Sequence, residues 1–208
     1  MINIIDKHGI FNEQRTSINV SYIRNVNIIF GQYAFPDHIH NLMLEVKNNL
    51  DPKMKNYTHV KGGMTDWNHF KGHPLFENFL NFVIAKHTVS HPEIFLHFKD
   101  RFKVINAWGN QINKGDYLTS HIHTCYHGIL YLSEGCPLQL PEINLEIIPE
   151  PGSFYIFPPY IFHGFNPSES EKPRYSLIFN IVESDNGNGF TYDEKIRKMD
   201  EKTRSKSK

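Results

Sequence analysis

Phe102-Lys103-Val104-Ile105-Asn106-Ala107-Trp108 is the first of a series of short runs rich in β-branched and aromatic residues. Residues 128–132, 145–148, 153–157 and 175–182 continue it. Clusters of Gly, Pro, Asn and Ser separate these runs at about ten-residue spacing, the pattern of a β-sandwich or barrel. Upstream the periodicity is helical. Pro36-Asp37 opens a helix with Asp37 as the expected N-cap, and Ile39, Leu42, Met43, Val46 and Leu50 recur at helical spacing until Asp51-Pro52 ends it. A second helix is expected from Pro74, with Leu75, Phe76, Phe79, Leu80 and Val83 as its apolar stripe. Residues 60–67, with Gly62-Gly63, read as a loop, and residues 17–29 as one or two strands. The fold class expected is mainly β with flanking helices, a small barrel or jelly roll braced by helices on one outer face. It implies a single domain over 1–192, with helical support over 1–101 and a β core over 102–184. A charged tail, 193–208, is read as a helical turn fading into a solvated end.

The chain has 208 residues, 39% hydrophobic and 13% aromatic, which excludes disorder and suffices for one core. Lys plus Arg is 22 and Asp plus Glu is 22, so no global field favours nucleic acid. No run approaches the roughly 18 apolar residues of a membrane span. Residues 1–11 carry Asp6 and lack a small-residue cleavage site, so they are not read as a secretion signal. A cytoplasmic location is expected, with Cys125 and Cys136 as reduced thiols.

The 13 histidines include two His-x-His pairs, and roughly 0.8 would arise by chance, so context must separate them. His38 and His40 fall in the first turn of a helix, where residues two apart point about 200° apart and cannot easily share an ion. His121 and His123 fall where a strand should run, and there residues two apart share a face. His163 is the candidate third metal ligand. It follows a turn, the hydrophobic run Ser153-Phe154-Tyr155-Ile156-Phe157 and Pro158-Pro159. Arg174 and Ser176 would face one way within an apolar strand. An inward Arg needs a partner, which is either a protein carboxylate or the carboxylate of a ligand.

In order along the chain, Trp108-Gly109-Asn110, Lys114-Gly115-Asp116, His121-Ile122-His123, Gly128-Ile129-Leu130-Tyr131-Leu132, Pro151-Gly152 to Pro158, His163 and Arg174-Tyr175-Ser176 resemble the 2-oxoglutarate/Fe(II) dioxygenase superfamily. Within it the likeness is to the small, phage-type oxygenases of the prolyl 4-hydroxylase-like group. It covers residues 104–182, with a weaker echo in Gly63-Met64-Thr65-Asp66-Trp67. The resemblance implies a double-stranded β-helix, iron held by His121, His123 and His163, and 2-oxoglutarate held by Arg174 with Ser176 and Tyr131. It implies C–H hydroxylation with release of succinate, ascorbate as reductant, and a peptide (prolyl or other) or small-molecule substrate. One departure is plain: the superfamily's usual His-x-Asp or His-x-Glu is His-x-His here, which leaves the site one unit more positive. Asp116 is a candidate for orienting a histidine through its second ring nitrogen, and Phe157, Phe162, Trp108 and Tyr126 are candidate pocket walls.

Two other readings stand beside it. Gly115, five residues and His121-Ile122-His123 also resemble the first motif of cupins, which bind metal through three histidines. That motif wants a Glu where this chain has His127, and the second cupin motif fails around residues 159–163. A non-catalytic metal-binding barrel is the third reading, supported by the histidine in the carboxylate position.

Overall fold

The computed structural model describes residues 2–6, 24–56, 58–90 and 102–183. The tail expected over 193–208 and the first part of the strand region expected over 17–29 lie outside the described residues. Two antiparallel sheets face each other. One contains β1 (Ile2–Asp6), β2 (Arg24–Gln32), β4 (Gly63–Met64), β5 (Phe102–Ile112), β7 (Tyr126–Tyr131), β10 (Ser153–Phe157) and β12 (Arg174–Glu183), in the order β1-β2-β10-β7-β12-β5-β4. The other contains β3 (Val60–Lys61), β6 (Tyr117–His121), β8 (Leu138–Leu140), β9 (Leu145–Ile147) and β11 (His163–Phe165), in the order β3-β6-β11-β8-β9. From β5 onward the chain passes back and forth between the sheets, which is the winding of a jelly roll. The expected mainly-β class is the observed one.

The central strands of the larger sheet are buried on both faces, so their sequences read as near-continuous apolar runs. Tyr175, Leu177, Phe179 and Ile181 of β12, Leu130 of β7 and Ala107 of β5 face helices α1 (Pro36–Asn48) and α2 (Pro74–Ser90). There they meet Leu42, Val46, Phe76, Phe79 and Val83. The alternate residues, Ile178, Ile129, Tyr131, Trp108 and Ile112, pack between the sheets against Leu118, Leu138, Leu140, Phe157 and Phe165. Among the described residues no helix is long and apolar enough to cross a membrane. Cys125 and Cys136 are both free and buried, and burial pushes the Cys125 thiol up to about 11.

Two local expectations are corrected. Asp37 is not the N-cap of α1: Phe35 holds that place without a side-chain cap bond, and Pro36 takes the first helical position, where its missing N–H is no loss. Asp37 sits in the first turn, where its charge meets the positive end of the helix dipole. Residues 60–67 are not simply a loop, since β3 and β4 pair with β6 and β5 respectively, one at the edge of each sheet. Two-residue strands carry no periodicity to read. The strands β8 and β11 are also too short to have stood out.

Phe179 lies across the strand from Gly128, and a Cβ built on Gly128 would come within 2.1 Å of its ring. That ring is held by Phe76 at 5.4 Å and Phe79 at 5.9 Å between centroids, so it has little room to retreat. Gly128→Ala should therefore destabilise the protein by about 1–3 kcal/mol despite the usual gain of about 0.5–1 kcal/mol on replacing a strand glycine. The reading is a lower urea midpoint at unchanged m-value; an unchanged or higher midpoint would mean that the clash relaxes freely.

Candidate metal centre

His121 is the last residue of β6, and His163, the first residue of β11, is its direct cross-strand partner. A bulge follows His163 before Phe165. His123 lies two residues past the end of β6 rather than on it, held by its backbone N–H to Pro159 O at 3.2 Å. The three rings nevertheless converge: one ligand atom from each lies within 4.8 Å of the others, and His121 Nε2 and His123 Nε2 are 3.2 Å apart. His121 Nδ1 is 2.8 Å from Thr119 O and His163 Nδ1 is 3.1 Å from Ile161 O. A carbonyl only accepts, so both Nδ1 atoms carry the hydrogen and both Nε2 atoms present lone pairs. His163 Nε2 is buried without a hydrogen-bond partner. Three neutral nitrogen donors so arranged suit a divalent transition metal.

Asp116, expected to orient a histidine, does not reach one; its carboxylate accepts from the backbone N–H of Asn113 at 2.7 Å and caps the turn after β5. Backbone carbonyls do the orienting instead. Two further rings, unremarked as ligand neighbours in the sequence, sit beside the group. His59 stacks on His121 at 4.4 Å, and His127 stacks on His123 at 3.8 Å. His127 was open to detection by parity, since on β7 it shares a face with Tyr131. Of the expected walls, Trp108 lines the cavity and Phe157 stacks on His163 at 6.2 Å, whereas Phe162 and Tyr126 are exposed.

The histidines line a cavity of about 560 Å³ that also takes in Arg174, Ser176, Trp108 and Asn110. Arg174 is 3% exposed, and no carboxylate pairs with it among the described residues. Its Nη1 donates to Cys136 O at 2.5 Å, and its guanidinium lies 4.5 Å from the Phe165 ring centre. Arg174 Nε, Ser176 Oγ and Tyr131 OH are all buried and unpartnered, as are Asn110 Oδ1 and Trp108 Nε1. Ser176 is the direct partner of both Tyr131 and Asn110 across the sheet, so these groups form one row. Burial raises the Tyr131 hydroxyl and keeps it protonated, hence able to donate. A larger open hollow of about 1040 Å³ elsewhere on the barrel contains no histidine and none of these groups.

Burial lowers His123 to about 3 and His163 to about 4, and the neighbouring histidines push in the same direction; His121 and His127 are lowered too, again mainly by burial. Unfolded histidines titrate near 6.5. Between pH 6.5 and about 4 the unfolded chain therefore holds more protons, and stability falls as pH falls, by up to about 1.4 kcal/mol per pH unit for each of His123 and His163. The urea midpoint of metal-free protein should drop steeply from pH 7 to pH 5; a flat profile would contradict the buried neutral cluster.

No family model matches the chain, and neither does any curated protein. Solved structures do match it. The viral collagen prolyl hydroxylase of Paramecium bursaria Chlorella virus-1, in complex with 2-oxoglutarate, superposes with a TM-score of 0.55 at 15% identity, over 75% of this chain and 94% of that one. A prolyl-4-hydroxylase from Pseudomonas putida gives 0.57 at 15% identity, over 76% and 92%. HygX from Streptomyces hygroscopicus, solved with nickel and 2-oxoglutarate bound, gives 0.53 at 10% identity, over 76% and 83%. At such identities the likeness is one of fold. The chain thus has the double-stranded β-helix fold found in 2-oxoglutarate/Fe(II) oxygenases, viral and bacterial prolyl hydroxylases among them.

Proposed function

We propose that this protein is a 2-oxoglutarate- and Fe(II)-dependent dioxygenase that hydroxylates a C–H bond of a peptide, prolyl or otherwise, or of a small molecule. The observation that carries this is a buried Arg174 with no carboxylate partner among the described residues, in the same cavity as three convergent histidines. An unpaired buried guanidinium is costly, and an anionic ligand relieves it. The donor set fits a metal: His121 and His163 are fixed by Thr119 and Ile161 carbonyls with Nε2 free, and His123 faces them. Iron and 2-oxoglutarate, when bound, supply dioxygen activation, with the cosubstrate decarboxylated to succinate as the substrate is hydroxylated; ascorbate is the proposed reductant.

The rest is the chain's own work. Arg174 takes the far carboxylate of the cosubstrate, with Ser176 Oγ and Tyr131 OH as further donors. Phe165, lying on the guanidinium, keeps water from it and strengthens the charge pairing. Three neutral ligands leave the metal's charge uncompensated by protein, so the anionic cosubstrate is drawn in more strongly than beside a His-x-Asp site. One domain over 1–192 carries this activity, in a reducing, cytoplasmic setting that suits two free thiols.

Succinate should accumulate when the protein is incubated with Fe(II), ascorbate and 2-oxoglutarate. His163→Ala should abolish stoichiometric metal binding; if His121→Ala, His123→Ala and His163→Ala all hold metal like the parent, the ligand assignment is wrong. Arg174→Ala should keep the metal and weaken 2-oxoglutarate by roughly 30- to 5,000-fold, about 2–5 kcal/mol for one lost partner of a buried charge pair. Arg174→Lys should recover only part, because an ammonium keeps the charge without the planar fork. Anaerobic titration of folded protein reads both. An unchanged dissociation constant in Arg174→Ala would favour a cupin-type three-histidine metalloenzyme, a reading that the absence of a carboxylate from the triad already suits. Tight 2-oxoglutarate binding without succinate would favour a non-catalytic barrel.

A further inference from the structure

The cavity floor is laid out in rungs across β5, β12 and β7. Arg174 pairs with Ile112; Ser176 with Asn110 and Tyr131; Ile178 with Trp108 and Ile129; Asn180 with His127. Six residues of strand separate Arg174 from Asn180, about 20 Å at roughly 3.3 Å per residue. His127 therefore stands at the end of the floor far from the proposed cosubstrate anchor. The three-histidine group adjoins that end: the His127 ring stacks on His123 at 3.8 Å with the planes 11° apart, and lies 5.0 Å from His163. This is the part of the cavity left for the second reactant.

His127 is buried, lines the cavity, and is not one of the three convergent ligands. Its Nδ1 lies 3.0 Å from Asn180 Oδ1. An amide oxygen only accepts, so Nδ1 carries the hydrogen and Nε2 is left as a bare acceptor. Among the described residues nothing donates to Nε2. A cavity-lining ring held in one tautomer by its cross-strand neighbour, with its second nitrogen unpartnered, is built to receive a donor from elsewhere.

We propose that His127 is a specificity-determining residue: its Nε2 accepts a hydrogen bond from an uncharged N–H or O–H group of the substrate, and Asn180 is the positioning residue that sets the tautomer. The inference rests on the oxygenase reading for what the substrate is, and adds its chemical class. Amides and alcohols fit; a carboxylate would meet a lone pair with a lone pair and is rejected. Sites that hydrogen-bond a substrate N–H or O–H discriminate strongly against analogues lacking it, because the buried partner is then left unsatisfied.

The test uses full-length protein labelled with ¹⁵N-histidine and loaded with Zn(II), a diamagnetic stand-in for iron. Two-bond ¹⁵N–¹H spectra report each ring's tautomer, and His127→Gln, with His127→Asn as a second variant, identifies the His127 signals. The expected wild-type pattern is a protonated Nδ1 and an unprotonated Nε2, reversed in Asn180→Leu. N-methylacetamide, which has an N–H, should then shift the His127 Nε2 resonance upfield, whereas N,N-dimethylacetamide at the same concentration should leave it in place. A protonated Nε2 in wild-type protein overturns the proposal, and so does an equal response, or none, to the two amides; a fold too weak in Asn180→Leu leaves both wild-type readings decisive. Neither spectrum needs 2-oxoglutarate. Failure of 2-oxoglutarate to bind would sink the oxygenase reading and leave the His127 result standing by itself.

Discussion

Residues of β12 alternate between two buried surfaces. Tyr175, Leu177, Phe179 and Ile181 meet the helices, while Arg174, Ser176, Ile178 and Asn180 turn toward the space between the sheets. A slip of one residue would drive Arg174 into the apolar layer under α1 and α2 and expose Phe179 to the polar cavity. Burying an unpaired guanidinium there would cost several kcal/mol. Pairing with β5 along one edge and β7 along the other holds the register, and the same pairing lines up Asn110, Ser176 and Tyr131 and brings His127 to Asn180. The packing of the helices and the chemistry of the cavity are thus two consequences of one alternation.

The buried polar atoms without partners gather in that cavity. Trp108 Nε1, Asn110 Oδ1, His163 Nε2, Arg174 Nε and Ser176 Oγ belong to residues that line it, Tyr131 OH stands beside Ser176 in the same row, and only His73 Nδ1 lies apart among the described residues. Each such group typically costs about 1–3 kcal/mol of desolvation. A fold bears that concentration of strain where a ligand relieves it, and ligand binding then returns stability to the folded state. The double apolar core, one layer under the helices and one between the sheets, supplies the margin.

The histidine group has its own logic. Carbonyls of Thr119 and Ile161 stand two residues before His121 and His163, so each ring is oriented by the backbone just before it in the chain. A local device of this kind needs no distant carboxylate, which is why Asp116 is free to close the turn after β5.

Local order determined what could be read without coordinates. Pro36 and Pro74 and the apolar stripes behind them place both helices, because helical periodicity and proline's fixed φ act within a few residues. The short apolar runs place β5, β7, β10 and β12, and two-residue parity puts Arg174 with Ser176. The candidate ligands His121, His123 and His163 came from spacing together with a family resemblance. Tertiary structure alone decided the rest. That Arg174 meets no carboxylate among the described residues, that His123 reaches the group from beyond its strand, that β3 and β4 stitch the sheet edges, and that His127 is held by Asn180 all depend on residues far apart in the chain. Such contacts are set by strand register and by the bulge after His163, and neither leaves a mark on the local pattern of side chains.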